Sequence, residues 1–346
     1  MMNLAGWSLT NISIAFLCAT LVVGWFGIQM TKTARDLAHE TGMGEVLMGA
    51  LFIGASTSLS GITTSVTAAM SGYAELAVSN SLGGIAAQTA FLAIADIAYR
   101  RANLEHATAS AENLFMTTLL MTLLSIHLMG IAVPNLSIWV IHPATLLLIV
   151  VYLFGIHLLS RTHKMPMWLP RKTHDTPIEE HKSIKRMSKD LAGLWGRFII
   201  YSVIVASAGW LLSQLAVPLV QRTGLSYGVV GGVLTAISTS IPELVVAVTA
   251  VRMGALNLAV GDIIGGNAFD TLFIAASDIA YNEGPIYAAI SSTEVFWLAN
   301  SLLMTGTLLM GLVYRQRYGP GNIGLESTVL LLLYCGGVAL LGMGFV

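Results

Sequence analysis

The chain has 346 residues, 55% hydrophobic and 10% charged, with a formal net charge of −1 and a mean hydropathy of +0.76. Soluble domains carry roughly 25% charged residues, so these figures exclude an ordinary soluble enzyme and indicate an integral membrane protein. They also give no basis for a nucleic-acid partner.

In chain order, apolar runs long enough to cross a bilayer, about 20 residues each, centre near residues 9–30, 46–70, 75–98, 110–131 and 137–159. A second set follows near 194–217, 227–251, 257–280, 287–313 and 324–344. About ten transmembrane helices are therefore expected, since a helix satisfies its own backbone in lipid. The first run lacks the basic start and small-residue cleavage site of a secretory signal and reads as a retained helix. Cys18 and Cys335 fall inside apolar runs, where a thiol behaves as a small buried hydrophobe. No disulfide framework follows from two such residues.

Between the two sets lies a charged segment, 160–192, with Arg161, Lys164, Arg171, Lys172, Lys182, Lys185, Arg186 and Lys189. Basic loops are retained on the cytoplasmic side, so this loop is expected in the cytoplasm. Counting spans outward puts Lys32, Arg35, Arg100, Arg101, Arg252, Arg315 and Arg317 on the same side and Arg222 opposite. Both termini then face outward, in what is most simply a bacterial inner membrane. The three predicted units are residues 1–159, the loop 160–192 and residues 193–346.

Shifted by 182 positions, the chain matches itself. Residues 56–99 lie over 238–281 without a gap, and roughly 20 of about 44 positions are identical. "STSLSGITTSVTA" lies over "STSIPELVVAVTA", "ELAVSNSLGG" over "NLAVGDIIGG", and "DIAY" occurs in both. With about five spans in each copy, an odd number, the second copy must enter the membrane in the opposite sense. The expected fold is all-α, built as two inverted five-helix repeats, an architecture in which transporters place substrate near the midplane between the copies.

Polar residues inside the spans are the candidates for function. Ser56, Thr57, Ser58, Ser60, Thr63 and Thr64 sit in one span, and Ser238, Thr239 and Ser240 in its counterpart. Hydroxyls of this kind also serve helix packing. Glu243 differs, because a carboxylate at the bilayer centre costs about 2.5–3.5 kcal/mol on insertion scales and is commonly functional or paired. Pro242 before it has no N–H, which frees the carbonyl of Ser238. A freed carbonyl beside a carboxylate suits a hard cation such as Na+ or Ca2+.

The next span, "VGDIIGGNAFD", adds Asp262, Asn267 and Asp270. Asp270 is the expected ligand. Asp262, nearer the start, is expected as a helix cap or an access-path charge, and Gly265 and Gly266 are expected to let a neighbour approach Glu243. Asp96 and Asp278, in the DIAY pair, are expected to hold symmetric structural roles. Glu112 and Glu294 could relay protons or sit near the interface, and His127 and His157 read as hydrogen-bonded helix residues.

These residues resemble the cation/calcium antiporter superfamily, which includes the sodium/calcium exchangers. In that family each repeat carries G-T-S-x-P-E followed by G-N-x-x-G-S-N-x-x-N/D. The second repeat here reads "ISTSIPE" and "GDIIGGNAFD", which implies ion-site roles for Thr239, Ser240, Glu243 and Asp270. The first departs from the pattern: Gly61 stands where the glutamate belongs and Gln88 where Asn or Asp closes the motif. Thr57 and Ser58 keep the hydroxyl positions, and Gln88 can offer an amide oxygen.

The resemblance implies a secondary antiporter exchanging Na+ or H+ for another cation, with Ca2+ a candidate, at a midplane site on Glu243 and Asp270. It implies no enzyme activity and no cofactor. The expected partners are inorganic cations and the lipid bilayer, with no obligate protein partner evident. The alternative is an exchanger-like fold that has lost coupled exchange through Gly61 and Gln88. An intramembrane aspartyl protease is disfavoured, because "AVGD" stands where those enzymes have G-x-G-D. Phosphate-binding and soluble-hydrolase motifs are absent from the sequence.

Overall fold

The computed structural model describes residues 6–41, 54–99, 102–164, 169, 171, 191–319 and 323–345. Most of the charged segment 160–192 and the start of the second expected span lie outside them. Among the described residues the regular structure is helical, apart from an isolated bridge between Ile138 and Ile141.

The first half contains α1 (Leu9–Thr41), α2 (Gly54–Thr57), α3 (Leu59–Met70), α4 (Ala74–Tyr99), α5 (Leu104–Thr108), α6 (Ala111–Ala132) and α7 (Pro143–Lys164). The second contains α8 (Leu191–Thr223), α9 (Tyr227–Val229), a π-helical segment Val230–Thr235, α10 (Ala236–Thr239), α11 (Ile241–Arg252) and α12 (Leu256–Ala280). A 3-10 turn, Ile286–Ala289, leads to α13 (Ser292–Tyr314) and α14 (Leu325–Gly342). Eight described helices are long and apolar enough to cross a membrane, and nine if the pair bent by 46° at Ser240 counts as one span. The bounds of α1, α2 and α3 recur in α8, α10 and α11 at the offset of 182 found in the sequence.

Two broken helices set up the interior. Ser58 separates α2 from α3 with φ −80° and ψ 2°, and Ser240 separates α10 from α11 with φ −98° and ψ 5°. Pro242 sits in the first turn of α11, where its missing N–H costs no helical bond. Helix α4 runs through the centre, with 83% of its span buried, against 28% for α14 at the periphery. Such close packing in an apolar solvent relies on small residues. A Cβ on Gly83 of α4 would lie 2.1 Å from the Gly232 carbonyl in the π-helical segment, so the two backbones touch. Helices α1 and α8 form a separate apolar cluster with Ile12, Phe16, Val23, Leu212, Leu215 and Leu219.

Asp96 and Asp278 are structural clamps. Asp96 accepts the backbone N–H groups of Leu104 at 2.7 Å and Gly324 at 2.9 Å. Asp278 accepts those of Ile286 and His142, both at 2.8 Å, which are the same positions displaced by 182. Glu294 closes a capping box with Ser291 at the start of α13, and Glu112 lies in the first turn of α6. His127 bonds to the Tyr287 hydroxyl and the Thr271 carbonyl, while His157 is exposed. The sequence expectation fails for the cysteines: Cys18 and Cys335 lie on exposed faces of α1 and α14, because an apolar run in a membrane protein has a lipid-facing side as well as a packed one.

The contact between Gly83 and Gly232 predicts that Gly83→Ala overpacks the centre, at about 1–3 kcal/mol. It should lower the apparent melting temperature of the purified protein, whereas Gly336→Ala, where a Cβ meets nothing within 4 Å, should leave it unchanged.

Candidate functional site

The two helix breaks face each other across α4 and α12 and enclose a crevice too narrow to admit a water molecule as it stands. Its walls include Ser58, Gln88, Thr239, Ser240, Glu243 and Asp270, six of the seven residues expected from the sequence. Thr57 stands beside them with its hydroxyl bonded to the Gly54 carbonyl at 3.0 Å and in hydrogen-bonding reach of the Glu243 carboxyl. Gly61, Asn80, Gly84 and Phe273 complete the lining.

Four side chains form a chain of hydrogen bonds that crosses between the halves. Ser58 donates to Oδ1 of Asp270 at 2.6 Å. Nε2 of Gln88 donates to Oδ2 of Asp270 at 2.7 Å and to the Ser240 hydroxyl at 3.2 Å. Gln88 and Asp270 are themselves 182 residues apart, as are Ser58 and Ser240, so Gln88 bonds to its own counterpart, and Ser58 to the counterpart of Gln88. The backbone joins in: Ser81 donates to the Asp270 carbonyl at 2.7 Å, and Ser60 to the Thr239 carbonyl at 3.2 Å. The Thr239 hydroxyl bonds back to Thr235 and Ala236 carbonyls, which leaves its oxygen as an acceptor toward the crevice wall.

The polar atoms left over are oxygens. Oε2 of Glu243, Oε1 of Gln88 and Oδ1 of Asn80 are buried without a hydrogen-bond partner, and so is Oδ1 of Asn267 on α12. Unpartnered buried acceptors are uncommon in native proteins, and a set of carboxylate, amide and hydroxyl oxygens matches the ligand chemistry of hard cations. Among the described residues no three His, Cys, Asp or Glu side chains converge as a metal cluster. A cation here would therefore rest on two acids supplemented by neutral oxygens.

Gln88 donates its amide nitrogen to Asp270, which leaves its oxygen, the atom expected as a ligand, without a hydrogen-bond partner. Two expectations need correction. Asp262 does not cap α12; the cap position is Ala255, and Asp262 lies beyond the first turn, with its charge facing Arg35 of α1. Gly266 faces Oε1 of Gln88 and not Glu243, while Gly84 is the glycine that borders Ser240 and Asp270.

Asn80 and Phe273 were missed. Asn80 lies over Asp262 in the self-match, a usable signal. It donates to the Gly61 carbonyl at 3.2 Å and to Ser65 at 2.9 Å, holding α3 against α4. Phe273 carries no such signal, yet it explains Gly61. A Cβ on Gly61 would lie 2.7 Å from the Phe273 ring, so the ring occupies the space that a side chain at position 61 would need.

A sodium/calcium exchanger protein model matches residues 12–160 and 193–343, one segment in each half. CaxA of Alkalimonas amylolytica, a candidate antiporter, is 23% identical over 330 residues, covering 94% of this chain and 96% of that protein. Among solved structures, a sodium-calcium exchanger, NCX_Mj, is similar with a TM-score of 0.62 and 16% identity over 95% of this chain and 99% of the other. The H+/Ca2+ exchanger CAX is similar with a TM-score of 0.65 and 13% identity over 95% and 84% of the respective chains. At these identities the solved structures speak to the fold.

Phe273 and Gly61 form a pair that mutagenesis can separate. Gly61→Glu should lower the apparent melting temperature, and Phe273→Ala in the same chain should recover most of that loss. The double-mutant coupling should be at least about 1 kcal/mol, as expected for residues in contact; additive effects would show that the ring does not fill the space.

Proposed function

This chain belongs to the sodium/calcium exchanger protein family, and from that premise we propose that it is a secondary antiporter exchanging Na+ or H+ for a second cation, Ca2+ the leading candidate. Members of that family are membrane transporters and not enzymes. The site is the crevice on Glu243 and Asp270, with Thr57, Ser58, Gln88, Thr239 and Ser240 around them. The observation that carries this reading is the cluster of unpartnered oxygens at two facing helix breaks. Irregular backbone at membrane depth is tolerated where it lines a site.

The chemistry follows from the hydrogen bonds. In this arrangement the Gln88 amide donates to Asp270 and stands where a cation would bring positive charge. An incoming ion displaces Nε2, and rotation of the amide presents its oxygen instead. Two carboxylates balance one divalent ion, or two protons or sodium ions, in a low-dielectric interior where unbalanced charge is costly. Competition for the same oxygens is the coupling. With Phe273 filling the space beside Gly61, the site has lost the second glutamate that the family motif places there, so fewer ions move per cycle than with two glutamates.

The duplicated match and the paired clamps at Asp96 and Asp278 support two inverted five-helix repeats, residues 1–159 and 193–346, joined by a cytoplasmic loop at 160–192. On this topology both termini face outward from a bacterial inner membrane. Helix α1 packs on the second break: a Cβ on Gly27 would lie 2.6 Å from Pro242. Helix α8 packs on the first-half site helix, where a Cβ on Gly209 would meet the Ser60 carbonyl at 2.5 Å. Sharing their own apolar cluster, these two helices form the unit that slides across the site to expose it to alternate sides.

A second reading is favoured by one feature. Both carboxylate oxygens of Asp270 already accept hydrogen bonds, as they would in a fold that has ceased coupled exchange. Proteoliposome counterflow separates the two. An imposed Na+ or pH gradient should drive Ca2+ movement, and Glu243→Gln or Asp270→Asn should each cut it more than about tenfold. If every cation tested stays still in the parent protein, the second reading holds.

A further inference from the structure

A second group of acids lies at the far end of α4, about 12 Å along the helix from Gln88. Here the Asp96 clamp ties α4 to α5 and to the start of α14. Glu105 of α5 and Glu326 of α14 converge on Gly324, and Asn103 joins them. All three are more than nine-tenths buried, with exposures of 3%, 8% and 1%. An ideal Cβ on Gly324 would lie 3.2 Å from Oε2 of Glu105, 3.4 Å from Oε2 of Glu326 and 3.4 Å from Cγ of Asn103. One point is thus ringed by all three side chains.

Among the described residues their inward oxygens have no hydrogen-bond partner. Oε2 of Glu105, Oε2 of Glu326 and Oδ1 of Asn103 are all buried and unpartnered. The orientation of Asn103 is fixed, because its Nδ2 donates to the Gln316 carbonyl at 2.7 Å and leaves the oxygen turned away from that bond. Ser327 donates to the other oxygen of Glu105 at 3.0 Å. Arg315, a basic side chain at this rim, donates to the His106 and Arg171 carbonyls.

The corresponding place in the second half shows what a self-sufficient version looks like. Displaced by 182, Glu105, Gly324, Glu326 and Asn103 become Tyr287, His142, Ala144 and Pro285. There the Tyr287 hydroxyl bonds to His127 at 2.8 Å, His142 to the Val133 carbonyl at 3.0 Å, and Thr145 to Asp278 at 2.7 Å. The same backbone clamp therefore adjoins hydrogen-bonded Tyr287, His142 and Thr145 side chains in one half and a ring of unpartnered oxygens in the other. Two carboxylates buried this close to one point are costly, and oxygen-only ligands of this kind select a hard cation.

We propose that Glu105, Glu326 and Asn103 form a second cation site, separate from the central crevice, that takes a divalent ion of the Ca2+ type. Flexible oxygen coordination at about 2.3–2.6 Å suits Ca2+ better than Mg2+, which keeps most of its water. The ion joins α5 to the start of α14 beside the Asp96 clamp, a structural or regulatory position that no transport step passes through. On the topology proposed above it faces the cytoplasm. The site does not depend on whether the central crevice transports.

Ca2+ binding to the purified chain, measured by equilibrium dialysis with Tb3+ luminescence as a second probe, tests this in a Glu243→Gln/Asp270→Asn background. That background should keep one Ca2+ per chain, and Ca2+ should raise its apparent melting temperature. Adding Glu326→Gln should weaken this binding at least about tenfold. Gly324→Ala, which leaves its N–H to Asp96 but puts a methyl into the ring, should do the same while the chain still elutes as a single folded species. No bound Ca2+ in the background variant, or unchanged binding in both additions, overturns the proposal; a proton shared by the two glutamates would give that result.

Discussion

Placing the Asp270 carboxylate in an apolar bundle is the constraint on which the centre of this structure depends. Its two oxygens accept from Ser58 and Gln88, both from the other half of the chain. Charge buried in low dielectric must be met by donors or counter-ions. That need draws a helix break from each half to the same place. It also fixes α4 against α12, since Ser81 holds the Asp270 backbone and Asn267 donates to Thr89 at 2.9 Å. Small residues then make the approach sterically possible, as at Gly83 and Gly84.

The duplication is kept most faithfully in the backbone and least faithfully in the polar chemistry. Ser58 and Ser240 share nearly the same dihedral angles, and Asp96 and Asp278 hold matching pairs of N–H groups. Within that common frame Gly61 faces a phenyl ring where its counterpart is Glu243, and Gln88 faces its own counterpart, Asp270. At the distal clamps, Glu105 and Glu326 stand where the second half has Tyr287 and Ala144. Backbone clamps set the geometry of a membrane bundle and tolerate little change, because an unsatisfied N–H in that setting costs several kcal/mol. Side chains lining a pocket are freer to diverge, and divergence there makes two chemically different places from one ancestral arrangement.

Much of the fold was legible in the residues because lipid restricts the choices so severely. Apolar runs of helical length, the offset self-match and the pairing of Glu243 with Asp270, which line one crevice, all came from the chain alone. The limits were directional. The sequence places Cys18 and Cys335 in apolar runs but cannot say which flank of the helix meets lipid. It shows that Gln88 carries both a donor and an acceptor, and only the neighbouring carboxylate decides which end turns inward. Asp262 looked like a cap from its nearness to a helix start, yet the start falls at Leu256, which moves the acid past the first turn.

The sequence by itself determined the class of protein, the two matching halves and the short list of acids that a membrane would not tolerate without a purpose. Those follow from hydropathy and repetition, which act along the chain. Tertiary structure alone decided that Phe273 fills the space beside Gly61, that Asn80 braces the crevice, and that Glu105, Glu326 and Asn103 meet around Gly324. These residues are far apart in order, and their pairing depends on how two helix breaks and two clamps bring separate segments within bonding distance.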